Sequence, residues 1–328
     1  MGRRVRSEIQ PASGVLYVYK PRGMSSRDVS RKLGIALGGR LNCGHAGTLD
    51  PMAEGVLPLL FGRASRIQDY LVSREKGYRF CMELGRQTDT LDADGQIVSE
   101  QPVQQLSMHL WQSAADAFLG DLVQSPPMYS AVKRAGRPLY EYARAGVSLD
   151  TSAHMRKVEI KEFKIEQVVD HRVYARVKCS SGTYVRELGR TLAEQNGNVM
   201  TVTYLERYLS AGVESRNCPP LTDVVARCER EGVVGLEQYV VPIVDLDLGL
   251  PKVCVDTDDT VQQLFYGQRL CPTRFSVVGT QINEWSGMAS HSCVLLVVDH
   301  QGKAIALADF VASESDRGAW IKIKRSLV

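Results

Sequence analysis

The sequence lacks the short motifs that mark several large classes of enzyme. Its eight cysteines contain no Cys-x-x-Cys pair, so neither a zinc ribbon nor a thiol-exchange site is indicated. Its six histidines show no metal-ligand spacing, and no Gly-x-x-x-x-Gly-Lys-Ser/Thr loop is present to bind a nucleotide phosphate. We therefore expect no metal and no cofactor, and we expect the cysteines to be reduced and mostly buried.

Long apolar runs are also missing. No segment approaches the roughly 20 apolar residues of a membrane helix, and the N-terminus carries Arg3, Arg4 and Arg6 without the apolar run of a signal peptide. We expect a cytoplasmic protein that has no membrane partner and is a monomer by default. At 328 residues and 44% hydrophobic content, the chain can form one large domain, or one large and one small domain.

Charge is nearly balanced overall but is uneven along the chain. The net charge is only +3, from 40 basic and 37 acidic residues. Residues 1–40, however, contain nine basic and two acidic residues, a local excess of +7. Because such a field attracts polyanions, this segment favours a nucleic-acid partner.

The N-terminal third predicts a loop between buried elements. Residues 15–19 read as a strand, and a helix follows that Ser25 or Ser26 can cap, with Val29, Leu33 and Leu37 forming its buried stripe. Residues 41–54 lack either periodicity and precede a second buried strand at 55–60. A loop that emerges from a sheet often carries catalytic groups.

The rest of the chain alternates predicted strands and helices up to about residue 245, after which short β-rich segments predominate. Residues 88–95 form an acidic turn-rich loop, residues 126–133 are extended, and residues 247–251 make a plausible linker. Short β-rich pieces then suggest a small all-β module. The predicted strands are 78–84, 158–169, 173–179, 277–278, 293–298 and 304–307; the predicted helices are 106–118, 140–143 and one opened by 181–183.

Asp50 stands out within the loop, although an Asp-Pro step alone fits a turn or a helix cap equally well. Five collinear segments, however, resemble the TruB family of tRNA pseudouridine synthases. The match is strong over residues 14 to about 210. The segments are Lys20-Pro21-Arg22-Gly23-Met24-Ser25-Ser26, Gly44-His45-Ala46-Gly47-Thr48-Leu49-Asp50-Pro51 with Gly55-Val56-Leu57-Pro58, Tyr78 with Gly85 and Thr88-Asp89-Thr90-Leu91-Asp92, Pro126-Pro127-Met128-Tyr129-Ser130-Ala131-Val132-Lys133, and Gly182-Thr183-Tyr184-Val185-Arg186.

The resemblance implies an isomerase that converts the T-loop uridine of tRNA, conventionally numbered 55, into pseudouridine. It makes Asp50 the nucleophile, acting on the sugar or on the ring, and it implies neither metal nor nucleotide. An attacking carboxylate must be ionised and aimed, which a guanidinium favours, and Arg186 fits that role. Because the target base lies inside a folded T stem-loop, it must be flipped out.

The same resemblance assigns the substrate contacts. Tyr78, which alone would read as a strand core residue, becomes the catalytic-site tyrosine that stacks on the uracil. Tyr184 lines the pocket and assists proton removal from the ring carbon, and Leu205 packs against the base. His45 fills the space that the base vacates in the RNA, and Lys20 supports the pocket. Taken alone, Lys20 would also fit a phosphate contact or a plain exposed strand end.

The implied fold is α+β, with a central mixed, mainly antiparallel sheet flanked by helices. Residues 1–248 would form the pseudouridine synthase domain and residues 249–328 a PUA-like RNA-binding module, helped by Gly267-Gln268-Arg269-Leu270. From residue 241 onward ten acidic residues face eight basic ones, which weakens a phosphate-binding role there. The family usually shows Leu-Arg-Arg where this chain has Leu205-Glu206-Arg207, so no RNA contact is expected from Glu206.

Two other functions are compatible with parts of the sequence. A tRNA-binding and refolding factor, with secondary or lost catalysis, would use the same basic face and aromatic residues. A carboxylate glycosidase would also break a bond at an anomeric carbon, but it needs an acid partner near Asp50. Glu54 is the nearest such residue in sequence.

Overall fold

The structure, a computed structural model, describes residues 13–39, 43–104, 107–130, 132–147, 149–151, 154–271, 275–277, 293–311 and 320–328. Some of the residues used in the sequence predictions lie outside these ranges: Arg3, Arg4, Arg6, Arg40, Leu106, Ala131 and Val278.

Nineteen strands and eight α-helices are found in the described ranges. The strands are β1 (Gly14–Lys20), β2 (Gly44–His45), β3 (Glu54–Phe61), β4 (Lys76–Leu84), β5 (Arg86–Thr88), β6 (Ile97–Glu100), β7 (Gly120–Gln124), β8 (Lys133–Arg134), β9 (Arg137–Pro138), β10 (Arg156–Val169), β11 (Arg172–Cys179), β12 (Met200–Ser210), β13 (Val213–Glu214), β14 (Val241–Pro242), β15 (Lys252–Val255), β16 (Phe275–Val277), β17 (Cys293–Asp299), β18 (Ala304–Val311) and β19 (Trp320–Ser326). The helices are α1 (Ser26–Ala36), α2 (Gln68–Ser73), α3 (Met108–Asp116), α4 (Leu139–Arg144), α5 (Val185–Gln195), α6 (Leu221–Glu231), α7 (Val233–Glu237) and α8 (Asp258–Phe265).

A ten-stranded sheet forms the centre of the molecule. Eight strands follow the order β14-β1-β3-β12-β4-β11-β10-β7, while β2 pairs with β3 and β13 with β12. Neighbouring strands are antiparallel except for β12 and β3, which run parallel. The predicted α+β class with a mixed, mainly antiparallel sheet flanked by helices is confirmed.

Helix α1 shows how the local sequence builds the elements beside this sheet. Ser25 caps the helix, because its hydroxyl accepts a hydrogen bond from the backbone N–H of Asp28. Val29 and Leu33, spaced four residues apart, are fully buried in the core cluster that also holds Phe80 and Leu205. The helix therefore fixes the start of the loop that follows it against the sheet.

The opposite face of the large sheet packs on the C-terminal sheet. Val15 and Leu60 share one buried cluster with Leu296 and Leu307. Polar contacts reinforce this packing, since Arg66 donates a hydrogen bond to the backbone oxygen of Ser326. The C-terminal part of the chain thus lies behind the large sheet and contributes to a common apolar core.

The C-terminal sheet has five strands in the order β16-β15-β17-β18-β19. The expectation that this module contains only strands is corrected by helix α8, which the sequence analysis did not predict. Thr257 caps this helix, because its hydroxyl accepts a hydrogen bond from the N–H of Thr260. Asp258 and Asp259 lie in the first turn, where negative charge interacts favourably with the positive end of the helix dipole. Leu264 anchors it in the core.

Within the described part of the chain, no helix combines the length and the apolarity that crossing a bilayer requires. All eight cysteines are free thiols. Four of them, Cys81, Cys179, Cys218 and Cys228, are buried as expected, whereas Cys271 is exposed.

Candidate active site

A cavity of about 320 Å³ opens beside the loop between β2 and β3. Gly47 to Asp50 form one wall, and Tyr78, Tyr184, Arg186 and Leu205 contribute others. The loop, β4, α5 and β12, which are far apart in sequence, therefore meet at one place. The volume lies near the lower end of the roughly 300–1,000 Å³ found for small-molecule sites, which suits a single nucleotide unit.

Asp50 and Arg186 form an ion pair at the floor of the cavity. One carboxylate oxygen of Asp50 lies 2.9 Å from Nη2 of Arg186. Arg186 projects from the first turn of α5 and is buried. The guanidinium therefore fixes the direction of a carboxylate whose other oxygen can face the cavity.

Arg186 is itself held by a set of acceptors that sequence reasoning did not assign. Its Nη1 lies 3.0 Å from Asp92 Oδ2 and donates to the Thr90 carbonyl at 2.7 Å, and its Nη2 donates to the Tyr129 carbonyl at 2.9 Å. The guanidinium therefore has partners on both sides, which prevents it from swinging away from Asp50.

Asp92 is prepared for this role by its own surroundings. Its Oδ1 accepts from the Thr90 hydroxyl at 2.6 Å and from the Asp94 N–H at 3.1 Å, which leaves Oδ2 for Arg186. Burial raises the pKa of the Asp92 carboxyl, with Arg186 and the hydrogen bonds opposing that effect. Asp92 belongs to the Thr-Asp-Thr-Leu-Asp segment, so a sequence signal was present but its role was not recognised.

The loop that carries Asp50 is attached to helix α1. The Ser26 hydroxyl accepts from the Leu49 N–H at 2.8 Å and donates to the Leu49 carbonyl at 3.0 Å. The Gly23 N–H donates to the Pro51 carbonyl at 2.8 Å. These contacts hold the residues on either side of Asp50, so its backbone has little freedom.

Lys20 binds backbone carbonyls of the Asp50 loop and of the turn before α1. Its buried ammonium donates to the carbonyls of Met24 at 2.6 Å, Pro21 at 3.0 Å and Pro51 at 3.4 Å. Burial lowers the pKa of the Lys20 ammonium to about 8, although the negative charge of Asp50 opposes the shift. Lys20 does not line the cavity, so its place is that of a support rather than of a surface that a ligand would touch.

Tyr78, Tyr184 and Leu205 supply the flat and apolar walls. Strands β4 and β12 pair with Tyr78 opposite Arg207. Leu205, two residues before Arg207 on β12, therefore lies near Tyr78. Tyr184 immediately precedes α5, and the Gln124 side chain accepts from its N–H at 3.0 Å. Burial raises the pKa of both tyrosines. Two aromatic rings and a leucine thus line the same cavity as the Asp50 carboxylate.

Arg207 is a second buried cation that sequence reasoning did not place in the site. It donates through Nε to the Val56 carbonyl at 2.8 Å and through Nη2 to the Gly47 carbonyl at 3.0 Å. Its charge lies next to the Tyr78 hydroxyl and partly offsets the effect of burial on the Tyr78 pKa. Arg207 therefore connects the Asp50 loop, β3 and Tyr78.

Gly55 makes this arrangement possible. Its φ of +106° is unfavourable for residues with a side chain, and a Cβ there would lie 2.3 Å from the Arg207 carbonyl oxygen. Only glycine allows β3 to approach β12 this closely in the parallel pairing of Gly55 with Arg207.

His45 lies at the edge of the site and not among the residues that line the cavity. It pairs with Leu59 at the start of the loop, and its Nε2 is 3.4 Å from the Thr48 hydroxyl. Burial lowers the pKa of its imidazole, and the charge of Arg207 acts in the same direction. A neutral ring at this edge is available for stacking.

Glu54 and Glu206 lie side by side on β3 and β12 and do not line the cavity. Glu206 accepts from the Ser215 hydroxyl at 2.6 Å and lies 3.5 Å from Arg79. The second carboxylate near Asp50 is instead Asp92, separated from it by Arg186. The glycosidase interpretation, which needs Glu54 near Asp50, is therefore disfavoured.

Metal binding has no support in the described ranges, where no three His, Cys, Asp or Glu side chains cluster as metal ligands would. The chemistry of the site consists of a fixed carboxylate, its guanidinium counterion and two aromatic rings.

The chain is similar to several known proteins. Residues 36–185 match TruB_N, described as the TruB family pseudouridylate synthase N-terminal domain. The chain is 36% identical over 265 residues to a tRNA pseudouridine synthase B of Psychrobacter cryohalolentis, covering 79% of this chain and 71% of the relative. It is 40% identical over 233 residues to a tRNA pseudouridine synthase B of Salmonella typhi, covering 70% of this chain and 73% of the relative.

Solved structures extend the likeness to almost the whole fold. A chain in the crystal structure of a Cbf5-Nop10-Gar1 complex superposes with a TM-score of 0.69 at 22% identity. The alignment covers 99% of this chain and 88% of that chain. The C-terminal sheet is thus included in the common architecture.

Proposed function

The chain belongs to the TruB family of pseudouridylate synthases, and from that premise we propose that it isomerises the T-loop uridine of tRNA, conventionally numbered 55, to pseudouridine. One observation carries this proposal. The Asp50 carboxylate is held 2.9 Å from Arg186 beside a cavity of about 320 Å³ that two tyrosines line. The relatives named tRNA pseudouridine synthase B support tRNA as the substrate.

The reaction requires the uridine to leave its RNA loop. Flipping a nucleotide out costs a few kcal/mol, which stacking in a protein pocket offsets. In our proposal Tyr78 stacks on the uracil ring and Leu205 packs against it. His45, at the edge of the site, occupies the space that the base leaves in the RNA.

Isomerisation then replaces one bond at the sugar with another. The bond from C1′ to N1 breaks, the base rotates, and a bond from C1′ to C5 forms. The hydrogen on C5 then leaves as a proton and N1 takes up a proton, so the product is an isomer of the uridine. Asp50 acts as the nucleophile, at the sugar or at the ring, and its transient bond to the substrate breaks again before the product is released. Arg186 keeps the Asp50 carboxylate aimed. Tyr184 assists removal of the C5 proton, and Lys20 holds the Asp50 loop.

We also propose a division of labour along the chain. Residues 1–248 form the catalytic domain, and residues 249–328 form a PUA-like module that contacts RNA. The five-stranded C-terminal sheet with helix α8 supports this assignment. The protein would act in the cytoplasm as a monomer.

The test in cells is to map pseudouridine at nucleotide resolution in total RNA after deletion of the gene. Loss of the modification at tRNA position 55, restored by the wild-type gene but not by Asp50→Asn, is the expected result. Restoration by Asp50→Asn would instead support the alternative of a tRNA-refolding factor whose catalysis is secondary. An unchanged modification map would refute the proposed function.

A further inference from the structure

Four cationic side chains line the cavity, and three of them are already committed to partners in the protein. Arg186 binds two carboxylates and two carbonyls. Arg207 donates to two carbonyls of β3 and the Asp50 loop. Lys76 is buried, and its ammonium donates to the carbonyls of Leu71, Val72 and Arg74 at the end of α2.

Arg156 is the fourth, and its guanidinium differs from the others. Arg156 is the first residue of β10, and its side chain is exposed at the mouth of the cavity. In the described ranges it makes no side-chain hydrogen bond and no ion pair. An arginine that borders a cavity with all its donors free is prepared to bind an anion that arrives with a ligand.

The position of Arg156 relative to the turn before α5 defines where that anion would lie. A Cβ built on Gly182 would be 3.7 Å from Nη1 of Arg156 and 3.8 Å from its Cδ, so the side chain lies across this turn. Its positive charge also reaches Tyr184, where it opposes the rise in the tyrosine pKa that burial causes. Arg156 therefore stands at the rim, above the aromatic wall.

From this geometry we infer that Arg156 binds a phosphodiester group next to the flipped uridine. The inference rests on the proposed function, because it takes the base in the cavity to be part of an RNA chain. When a base enters the pocket, its flanking phosphates remain at the rim. A guanidinium offers two parallel N–H donors to phosphate oxygens, and an unpaired arginine gives up no protein contact to do so.

A contact between Arg156 and a phosphate would reduce the electrostatic repulsion between Asp50 and the RNA backbone. The Asp50 carboxylate must approach a polyanionic chain, which its own charge repels. Arg186 is paired with Asp50 and Asp92, and Lys76 and Arg207 are buried with their donors directed to backbone carbonyls, so these three cations do not offer free donors to a phosphate at the rim. Arg156 supplies the rim cation that counters this repulsion and sets the position of the backbone relative to the pocket.

The test uses a synthetic T stem-loop RNA in which one linkage at a time, on the two sides of the target uridine, is a neutral methylphosphonate. The nucleotide on the 5′ side of each altered linkage carries a 2′-O-methyl group for stability. Its control RNA has the same sugar and an ordinary phosphodiester. Single-turnover pseudouridine formation gives the half-saturating enzyme concentration for the wild type, Arg156→Gln and the matched control Lys157→Gln, whose exposed side chain does not line the cavity.

We expect one linkage at which neutralisation weakens half-saturation about tenfold in the wild type and in Lys157→Gln, but less than about twofold in Arg156→Gln. Arg156→Gln should also reduce the slope of log affinity against log salt by about 0.7 to 0.9. Equal losses in the wild type and Arg156→Gln at every linkage, or no loss at any linkage, would overturn the inference. Absence of pseudouridine with the wild-type protein in the T stem-loop RNA that has neither the altered linkage nor the 2′-O-methyl group would instead refute the proposed function.

Discussion

The side chain of Arg186 is only 7% exposed, whereas the Asp50 carboxylate that it binds at 2.9 Å is 37% exposed. The counterion is thus fixed inside the protein while the acidic group reaches the cavity. An ion pair with this asymmetry orients a reactive group without hiding it. The rigidity comes from the acceptors behind Arg186, above all from Asp92, whose side chain is 8% exposed.

Replacement of Asp92 by asparagine should lower kcat by about 10²-fold, because a guanidinium with no anionic partner behind it can shift relative to Asp50. The amide keeps the size of the side chain and one oxygen for hydrogen bonding. Steady-state pseudouridine formation measures the effect. Asp94→Asn, at an exposed position two residues further on, is the control and should retain nearly full activity. Equal rates for the two variants would show that Asp92 does not position Arg186.

Arg186→Lys keeps the positive charge but should also reduce kcat by more than about 10²-fold. A single ammonium cannot reach Asp50, Asp92 and two carbonyls together, as the planar guanidinium does. Arg190→Lys, on the same helix and paired with Glu187 and Glu194 near the surface, is the matched control. A substantial rate for Arg186→Lys would mean that charge alone, without the fork geometry, is sufficient.

Gly55→Ala should destabilise the protein by more than about 3 kcal/mol, since the added Cβ meets the Arg207 carbonyl oxygen at 2.3 Å and the backbone has a φ of +106°. Gly146→Ala provides the comparison. Gly146 also has a positive φ, +72°, but a Cβ there meets nothing within 4 Å. Urea unfolding should therefore show a cost of only about 1 kcal/mol for Gly146→Ala. Similar midpoints for both variants would contradict the close contact between β3 and β12.

The buried ammonium of Lys20 should make stability depend on alkaline pH. Its pKa is about 8 in the folded protein against a reference value of 10.5, so the unfolded chain binds more protons between these two values. The free energy of unfolding contributed by Lys20 should therefore rise with pH across that window, by about 3 kcal/mol in total, and be constant below it.

Comparison with Lys20→Met isolates this effect, because other titrating groups remain in both proteins. Urea titrations at pH 7, 9 and 10 should show the wild type gaining stability relative to Lys20→Met as pH rises. The same comparison with Lys32→Met, an exposed position on α1, should give a difference that changes little with pH. A flat difference for Lys20→Met would show that its ammonium is not buried as described.

Local sequence patterns predict much of the fold. The stripe of Val29, Leu33 and Leu37 predicts α1, because residues spaced four apart lie on the same face of an α-helix. The hairpin of β10 and β11 follows from two β-rich segments joined by a short turn. Helix α8 was missed because it is short and lies among strands. The parallel pairing of β3 with β12 joins residues about 150 apart, and no local pattern encodes such a contact.

The candidate site shows the same limit. Asp50, Tyr78, Tyr184, Arg186 and Leu205 were found through motifs, and the structure brings them to one cavity. His45 and Lys20 lie beside it rather than on its lining. The sequence did not reveal Asp92 and Arg207, which hold the site, or Arg156, which borders the cavity with free donors. All three resemble ordinary charged residues until the fold supplies their neighbours.

The role of Asp50 as the nucleophile is tested most directly by single-turnover conversion of an unmodified tRNA T stem-loop by the wild-type protein and by Asp50→Asn. Binding of the same RNA is measured in parallel. We expect pseudouridine at the T-loop position with the wild type, and loss of conversion with binding retained in Asp50→Asn. Full conversion by Asp50→Asn would contradict the assignment of Asp50 as the nucleophile.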